Sequence, residues 1–213
     1  MNDAPKPYHH GDLRRALLQT AQDMLGEEQG WQFTLRELAR RAGVTHAAPY
    51  KHFTDKAALL AELAVQGFDR LEEALVAAER PETPPREAFF ARCAAYVRFG
   101  ASNANLYRLM FSPDARAAKD TRLDARAKAS FDALVDVIAR GQATGWLRAR
   151  DAHGQAVACW TQLHGLTLLT ADGLLPLRWT GSDPIQAALD GLLDGLEEPR
   201  RQADAAGVAQ GPR

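Results

Sequence analysis

A chain of 213 residues with 46% hydrophobic side chains is long enough to bury one or two full cores without covalent staples. Its 26 Lys and Arg stand against 27 Asp and Glu, a formal net charge of −1, which excludes a wholly basic nucleic-acid coat and leaves only a local basic face. The two cysteines, Cys93 and Cys159, fall in apolar helical patterns with no Cys-x-x-Cys, so buried free thiols in a reducing, cytoplasmic setting are expected in place of a disulfide framework.

Residues 1–10 are polar and carry two prolines, without the apolar stretch of a secretory signal. They are expected to form a flexible, disordered arm, the alternative being a phosphate or minor-groove contact through Lys6. His9-His10-Gly11-Asp12 is a poor metal set, since adjacent ligands with no distant partners do not close a tetrahedron; no metal and no cofactor are expected. Asp12 reads as the N-cap of a first helix, in which Leu13, Ala16, Leu17, Ala21, Met24 and Leu25 repeat at helical spacing. Gly30 stops it, and Trp31 and Phe33 are expected to plug a three-helix core.

Thr34-Leu35-Arg36-Glu37 has the form of a capping box, with Thr34 and Glu37 each satisfying the other's backbone N–H. Leu35, Leu38, Ala39 and Ala42 make the apolar stripe of the short helix that follows, and Gly43 can take the left-handed conformation that ends it. Thr45 then caps a second short helix, expected to run to Phe53. Two short helices joined by a Gly-containing turn are a helix-turn-helix, whose second helix enters the major groove of double-stranded DNA. Its N-terminal residues Thr45, His46 and Ala47 would meet base edges, and Tyr50, Lys51 and His52 the phosphates. Pro49 interrupts it: proline clashes with the carbonyl four residues back and pushes Ala48 away from the α region, which distorts the first turn.

This order of capped helix, Ala42-Gly43-Val44-Thr45 and Pro49-Tyr50-Lys51-His52-Phe53 resembles the DNA-binding domain of the TetR family of bacterial transcriptional regulators. The likeness runs from Tyr8 to about Leu60 and includes the lead-in Tyr8-His9-His10-Gly11-Asp12-Leu13-Arg14. The family usually has Leu before the Tyr, where this chain has Pro49; a subset is similar in carrying Ala-Pro-Tyr. The resemblance implies that residues 11–54 form the DNA-binding domain and that Lys56 contacts the backbone; Thr34 is placed with the DNA-binding residues. Residues 1–56 hold eight Lys/Arg and seven Asp/Glu, so any basic face must come from arrangement.

Asp55 caps a long helix, Lys56 to about Glu79, which Pro81 to Pro85 ends. The remainder reads as helix throughout, giving an all-α chain whose residues 55–196 form a helical ligand-binding and dimerisation domain and whose residues 197–213 form a disordered tail. Expected helices are Arg86–Ser102, a short one near Asn103–Phe111, a charged segment after Pro113 leading into the Phe131, Leu134, Val135, Ile138 stripe, Asp151–Leu175, and Asp183–Leu196. Gln162, His164, Asp172 and Pro176 break the apolar run 156–177, which makes it a buried helix and not a membrane span. With two apolar faces it needs two partners, so Leu163, Leu166 and Leu174, with Ile185, Leu189 and Leu192, are expected to meet a second subunit in a four-helix bundle. Phe90, Tyr96, Phe99, Tyr107, Met110, Phe131, Trp160 and His164 are expected to line a pocket for a small apolar or aromatic effector, with His164 as polar anchor.

Trp160 to His164-Gly165 resembles the Trp…His-Gly signature of one TetR C-terminal subclass. The family likeness implies a homodimeric regulator, most often a repressor, on a near-palindromic operator. The alternative is a regulator without ligand or controlled by a protein partner. An enzyme using His164 or His153 as base would lack a nucleophile, a metal set, a Gly-rich phosphate loop and paired carboxylates.

Overall fold

The computed structural model describes residues 10–80, 82–176, 178, 181 and 183–198; the expected arm up to residue 9, with Lys6, and the tail beyond residue 198 lie outside them. Regular structure among these residues is helical, apart from one antiparallel bridge between Leu147 and Glu197.

The head starts with α1 (His10–Leu25), which begins two residues before the expected cap Asp12. It buries Leu17, Leu18, Ala21, Met24 and Leu25, the stripe set by 3.6-residue periodicity. In α2 (Leu35–Arg41) both halves of the capping box form. The Thr34 hydroxyl accepts from the Glu37 N–H at 3.2 Å, and the Glu37 carboxylate accepts from the Thr34 N–H at 2.7 Å. The helix closes with Gly43 at φ +68°; Val44 N–H donates to Ala39 C=O at 3.0 Å and Gly43 N–H to Arg40 C=O at 3.3 Å, the paired bonds of a Schellman motif. Phe33 and Phe53 seal the core between α1 and α2. Trp31 packs against the core from its edge. It is half-buried, and its indole N–H donates to Asp114 outside the head at 2.8 Å, because the polar end of an indole seeks an acceptor.

The long helix α3 (Lys56–Ala77) is capped by Asp55, whose carboxylate accepts from Ala58 N–H at 2.8 Å. Around it lie α4 (Pro85–Ser102), α5 (Ala104–Met110), α6 (Pro113–Arg116) and α7 (Thr121–Ala143), so one helix supplies core to head and body alike. Opposite α3, α4 packs along α8 (Ala152–Ala171), and α9 (Pro184–Leu196) covers both. Gly100 makes the α4–α8 approach possible: a Cβ there would stand 2.2 Å from Thr167 Cγ2 and 2.9 Å from Tyr107 Cδ2. The carboxylates of Asp120, Asp151 and Asp183 cap α7, α8 and α9.

The far end of the body is tied down beyond α9. Arg86 of α4 pairs with Glu197 at 2.6 Å, and Arg148 Nε donates to the Glu197 carbonyl at 2.7 Å. Glu197 and Glu198, expected to open a disordered tail, therefore belong to the fold, since the Glu198 N–H donates to the Trp146 carbonyl and the Glu197 carbonyl accepts from the Arg148 side chain.

Candidate DNA-binding surface and ligand cavity

Pro49 decides the shape of the second reading element. The expected helix Thr45–Phe53 is replaced by a turn over residues 45–48 and a 3-10 segment, Pro49–Lys51. Proline has no N–H to return to the Thr45 carbonyl, and that carbonyl is taken instead by the Ala48 N–H at 2.9 Å. Ala48 itself stays in the right-handed α region, φ −61°, ψ −44°, contrary to the expected shift. The tightened turn still points the expected residues outward. Thr45, His46, Ala47, Tyr50 and Lys51 are exposed, Tyr50 by 60%, while Ala48 and Phe53 anchor the segment from below.

Three residues of the expected DNA set, Thr34, His52 and Lys56, also make contacts within the head or have an atom shut away from solvent. Thr34 is exposed but its hydroxyl serves the capping box. His52 is half-buried with Nε2 shut away from solvent and unbonded. The Lys56 ammonium stands 5.6 Å from the Phe33 ring centre, a cation–π distance that holds it at the start of α3 beside the reading turn. The Glu37 carboxyl is held below its usual range, first by the Thr34 backbone N–H and then by the Thr34 hydroxyl.

The body encloses a cavity of about 140 Å³. Phe68 and Leu75 of α3 form one wall; Phe89, Arg92, Cys93 and Tyr96 of α4 form another; Ala127, Ser130, Phe131 and Leu134 of α7 face Trp160 and Leu163 of α8, and Phe111 and Arg116 complete the lining. Of the expected pocket residues, Tyr96, Phe131 and Trp160 are there. Counting back from Tyr96 by helical steps gives Cys93, Arg92 and Phe89, one position away from the expected Phe90, which is half-buried elsewhere. That count could have found all three in the sequence. Phe99 is buried away from the cavity, and Met110 packs on Gly67 of α3.

Tyr107 and His164 lie behind the lining, in a hydrogen-bonded chain that ends on it. The Trp160 indole N–H donates to the Tyr96 hydroxyl at 3.1 Å; Tyr96 and Tyr107 hydroxyls are 2.8 Å apart; Tyr107 is 2.7 Å from His164 Nδ1. An indole can only donate, so the chain is satisfied when Tyr96 donates to Tyr107 and Tyr107 to an unprotonated Nδ1. Burial lowers the His164 pKa and raises that of Tyr107, the neutral states this direction requires. Phe111 packs edge-on to the imidazole, with centroids 4.9 Å apart. His164 is thus a positioning group for Tyr107, and its Nδ1 is already occupied. Cys93 and Cys159 are buried free thiols; the neighbouring Cys159 thiol and burial hold Cys93 well above its ordinary pKa, which leaves little thiolate for redox chemistry.

The expected dimer residues need correction. Leu163, Leu166, Leu189 and Leu192 are buried within their own chain, Leu163 on the cavity, because α8 turns that face toward α4 and α9. Ile185 is half-buried, and Leu174 is exposed beyond the end of α8. The outward face of α8 carries Val157, Ala158, Thr161 and Leu169 instead.

Among the described residues no helix is long and apolar enough to cross a membrane. No curated protein matches the chain in sequence. A structure of a protein of unknown function from Rhodococcus sp. RHA1 is similar at 37% identity and TM-score 0.76, over 91% of this chain and 100% of its own. A bacterial regulatory protein in the tetR family, from Rhodococcus RHA1, shares the fold at 20% identity and TM-score 0.58, over 88% of this chain and 96% of its own. So does AibR in complex with isovaleryl coenzyme A and operator DNA, at 20% identity and TM-score 0.61, over 86% and 97%. Residues 17–63 match the bacterial regulatory proteins of the tetR family, and residues 89–196 match the tetracyclin repressor-like C-terminal domain. With the reading turn and the helical body both matched, the chain belongs to the TetR family of bacterial DNA-binding regulatory proteins.

Proposed function

We propose that the protein is a homodimeric repressor that holds a near-palindromic operator and releases it when a small effector with an apolar or aromatic body enters the cavity. The observation that carries this reading is a path of side chains from cavity wall to DNA head. Helix α7 lines the cavity and, at its start, holds Arg122 2.9 Å from Glu62 of α3. Glu62 lies 3.0 Å from Arg14 of α1, and the Arg14 guanidinium stands 5.6 Å from the centre of the Phe53 ring, just after the reading turn. A ligand that displaces α7 therefore acts on the head through the buried Glu62 carboxylate of α3, which pairs with both arginines.

In this reading Thr45, His46 and Ala47 meet base edges, while Tyr50, Lys51 and Lys56 set the register on phosphates. A second copy meets the outward face of α8, where Val157 is 51% and Leu169 42% exposed, with the small residues Ala158 and Gly165 beside them allowing close approach. Two heads spaced roughly one helical turn or a multiple apart, about 34–36 Å in the simplest case, would read both half-sites. Support comes from AibR, whose complex holds both isovaleryl coenzyme A and operator DNA.

The test is selection of bound DNA from a random pool, followed by fluorescence anisotropy with and without a ligand found by thermal shift. The expected result is a palindromic site whose affinity falls with ligand, and a reciprocal fall in ligand affinity with DNA. Equal DNA affinity with and without saturating ligand would remove the effector from this reading. Unchanged specific binding after Tyr50→Ala and Lys51→Ala would remove the DNA surface.

A further inference from the structure

The cavity has a charge sign. Among the described residues, two of permanent charge line it, Arg92 and Arg116, both cationic, and no Asp or Glu is part of the lining. The acids that balance them stand outside. Arg92, with its side chain only 12% exposed, bonds to Glu79 through Nη1 and lies 3.8 Å from Glu72 through Nη2. Both acids are about half exposed. Arg116 is 3.6 Å from Asp124, and its side chain is 48% exposed.

A guanidinium has five N–H donors in one plane; Glu79 and Glu72 each meet one edge nitrogen of Arg92, and Asp124 meets one of Arg116, so neither fork has all its donors engaged. The remaining wall is aromatic and aliphatic, with the Ser130 side chain on the same helix as Phe131. A cationic ligand would bring like charge against two guanidiniums in a medium of low dielectric. A neutral one without acceptors would strip water from them without replacing it, and a neutral acceptor would replace it with weaker, uncharged hydrogen bonds. An anion would accept charge-assisted, bidentate hydrogen bonds.

We propose that the effector is a small amphiphilic anion, an aromatic or short acyl body carrying one carboxylate, with the carboxylate received by Arg92 and Arg116 and the body packed against Phe89, Phe131 and Trp160. This rests on the cavity being the effector site.

The test compares three probes that share one body: 4-phenylbutanoate, 4-phenylbutanamide and 4-phenylbutylamine, each titrated calorimetrically into the full-length protein. The acid is expected to bind at least about tenfold more tightly than the amide, and the amine more weakly still, tenfold corresponding to one charge-assisted contact. Arg92→Gln and the more exposed Arg116→Gln each lower the affinity for the acid about tenfold and leave the amide within about twofold. Ala127→Phe, which fills the cavity, abolishes binding of the acid. Equal or tighter binding of the amide or the amine overturns the anionic class while leaving the effector reading intact. So does a preference for the acid that neither arginine substitution reduces. Absence of binding by all three at millimolar concentration also overturns it, and the effector reading then rests separately on the operator-release assay with neutral compounds.

Discussion

Replacing Tyr107 by Phe removes one oxygen from a side chain that is fully buried and leaves its ring contacts with Tyr96, Phe111 and His164 in place. Two hydrogen bonds go with it, at 2.8 Å to Tyr96 and 2.7 Å to His164. Each is worth about 1 kcal/mol net, and a buried group left unpaired loses about 1–3 kcal/mol. Tyr96 still accepts from the Trp160 N–H, but its own O–H loses its acceptor and His164 Nδ1 loses its donor. The expected loss is about 2–4 kcal/mol, which in a protein of this size lowers Tm by roughly 5–15 °C. Urea unfolding at one fixed protomer concentration measures it, with the midpoint moving and the slope unchanged. Combined with His164→Phe in a double-mutant cycle, the pair should show a coupling of about 1 kcal/mol. A loss under about 0.5 kcal/mol with no coupling would refute the directed chain from Trp160 to His164. Tyr50→Phe, with its exposed hydroxyl, is the control and should stay within about 0.5 kcal/mol.

Burial depresses the His164 pKa in the folded state below the ordinary value of 6.5, so the unfolded chain binds the proton more readily. Stability is therefore complete above about pH 6.5 and lost as pH falls through the depressed value; His164→Gln should flatten that part of a pH–Tm profile. Glu62→Gln keeps the shape of the side chain between Arg14 and Arg122 but removes its charge. Those arginines are 41% and 58% exposed, so solvent screening limits the stability change to about 1 kcal/mol. The effect of ligand on operator affinity should shrink at least about threefold, read by anisotropy. Gly100→Ala places a methyl 2.2 Å from Thr167 Cγ2, between side chains that are fully buried. Overpacking of about 1–3 kcal/mol should outweigh a helix-propensity gain of up to about 1 kcal/mol, giving a lower denaturation midpoint.

Local bonds account for what was legible in residue order. The Thr34–Glu37 box, the left-handed Gly43 and the caps Asp55, Asp151 and Asp183 each close within a few residues, so their chemistry is complete in the chain itself, and the all-α reading and the family likeness follow from them. Pro49 was legible as a defect but not in its outcome. Whether the turn reopens or tightens depends on Ala48 and Phe53 being held in the core, and holding Ala48 there kept it helical.

Tertiary contact alone decided which face of each apolar helix looks where. Helix α8 is apolar on two sides, and no periodicity distinguishes the one that meets α4. Close approach at Gly100 turns Leu163 and Leu166 inward and leaves Val157 and Leu169 in solvent, the reverse of the expected interface. The register of α4 likewise carries Phe89, Arg92 and Cys93 to the cavity and Phe90 away from it. The pairing of Trp31 with Asp114, and of Glu62 with Arg14 and Arg122, joins positions up to 83 residues apart. Spacing in sequence contains no information about contacts of that kind; they exist because α3 brings head and body onto one core.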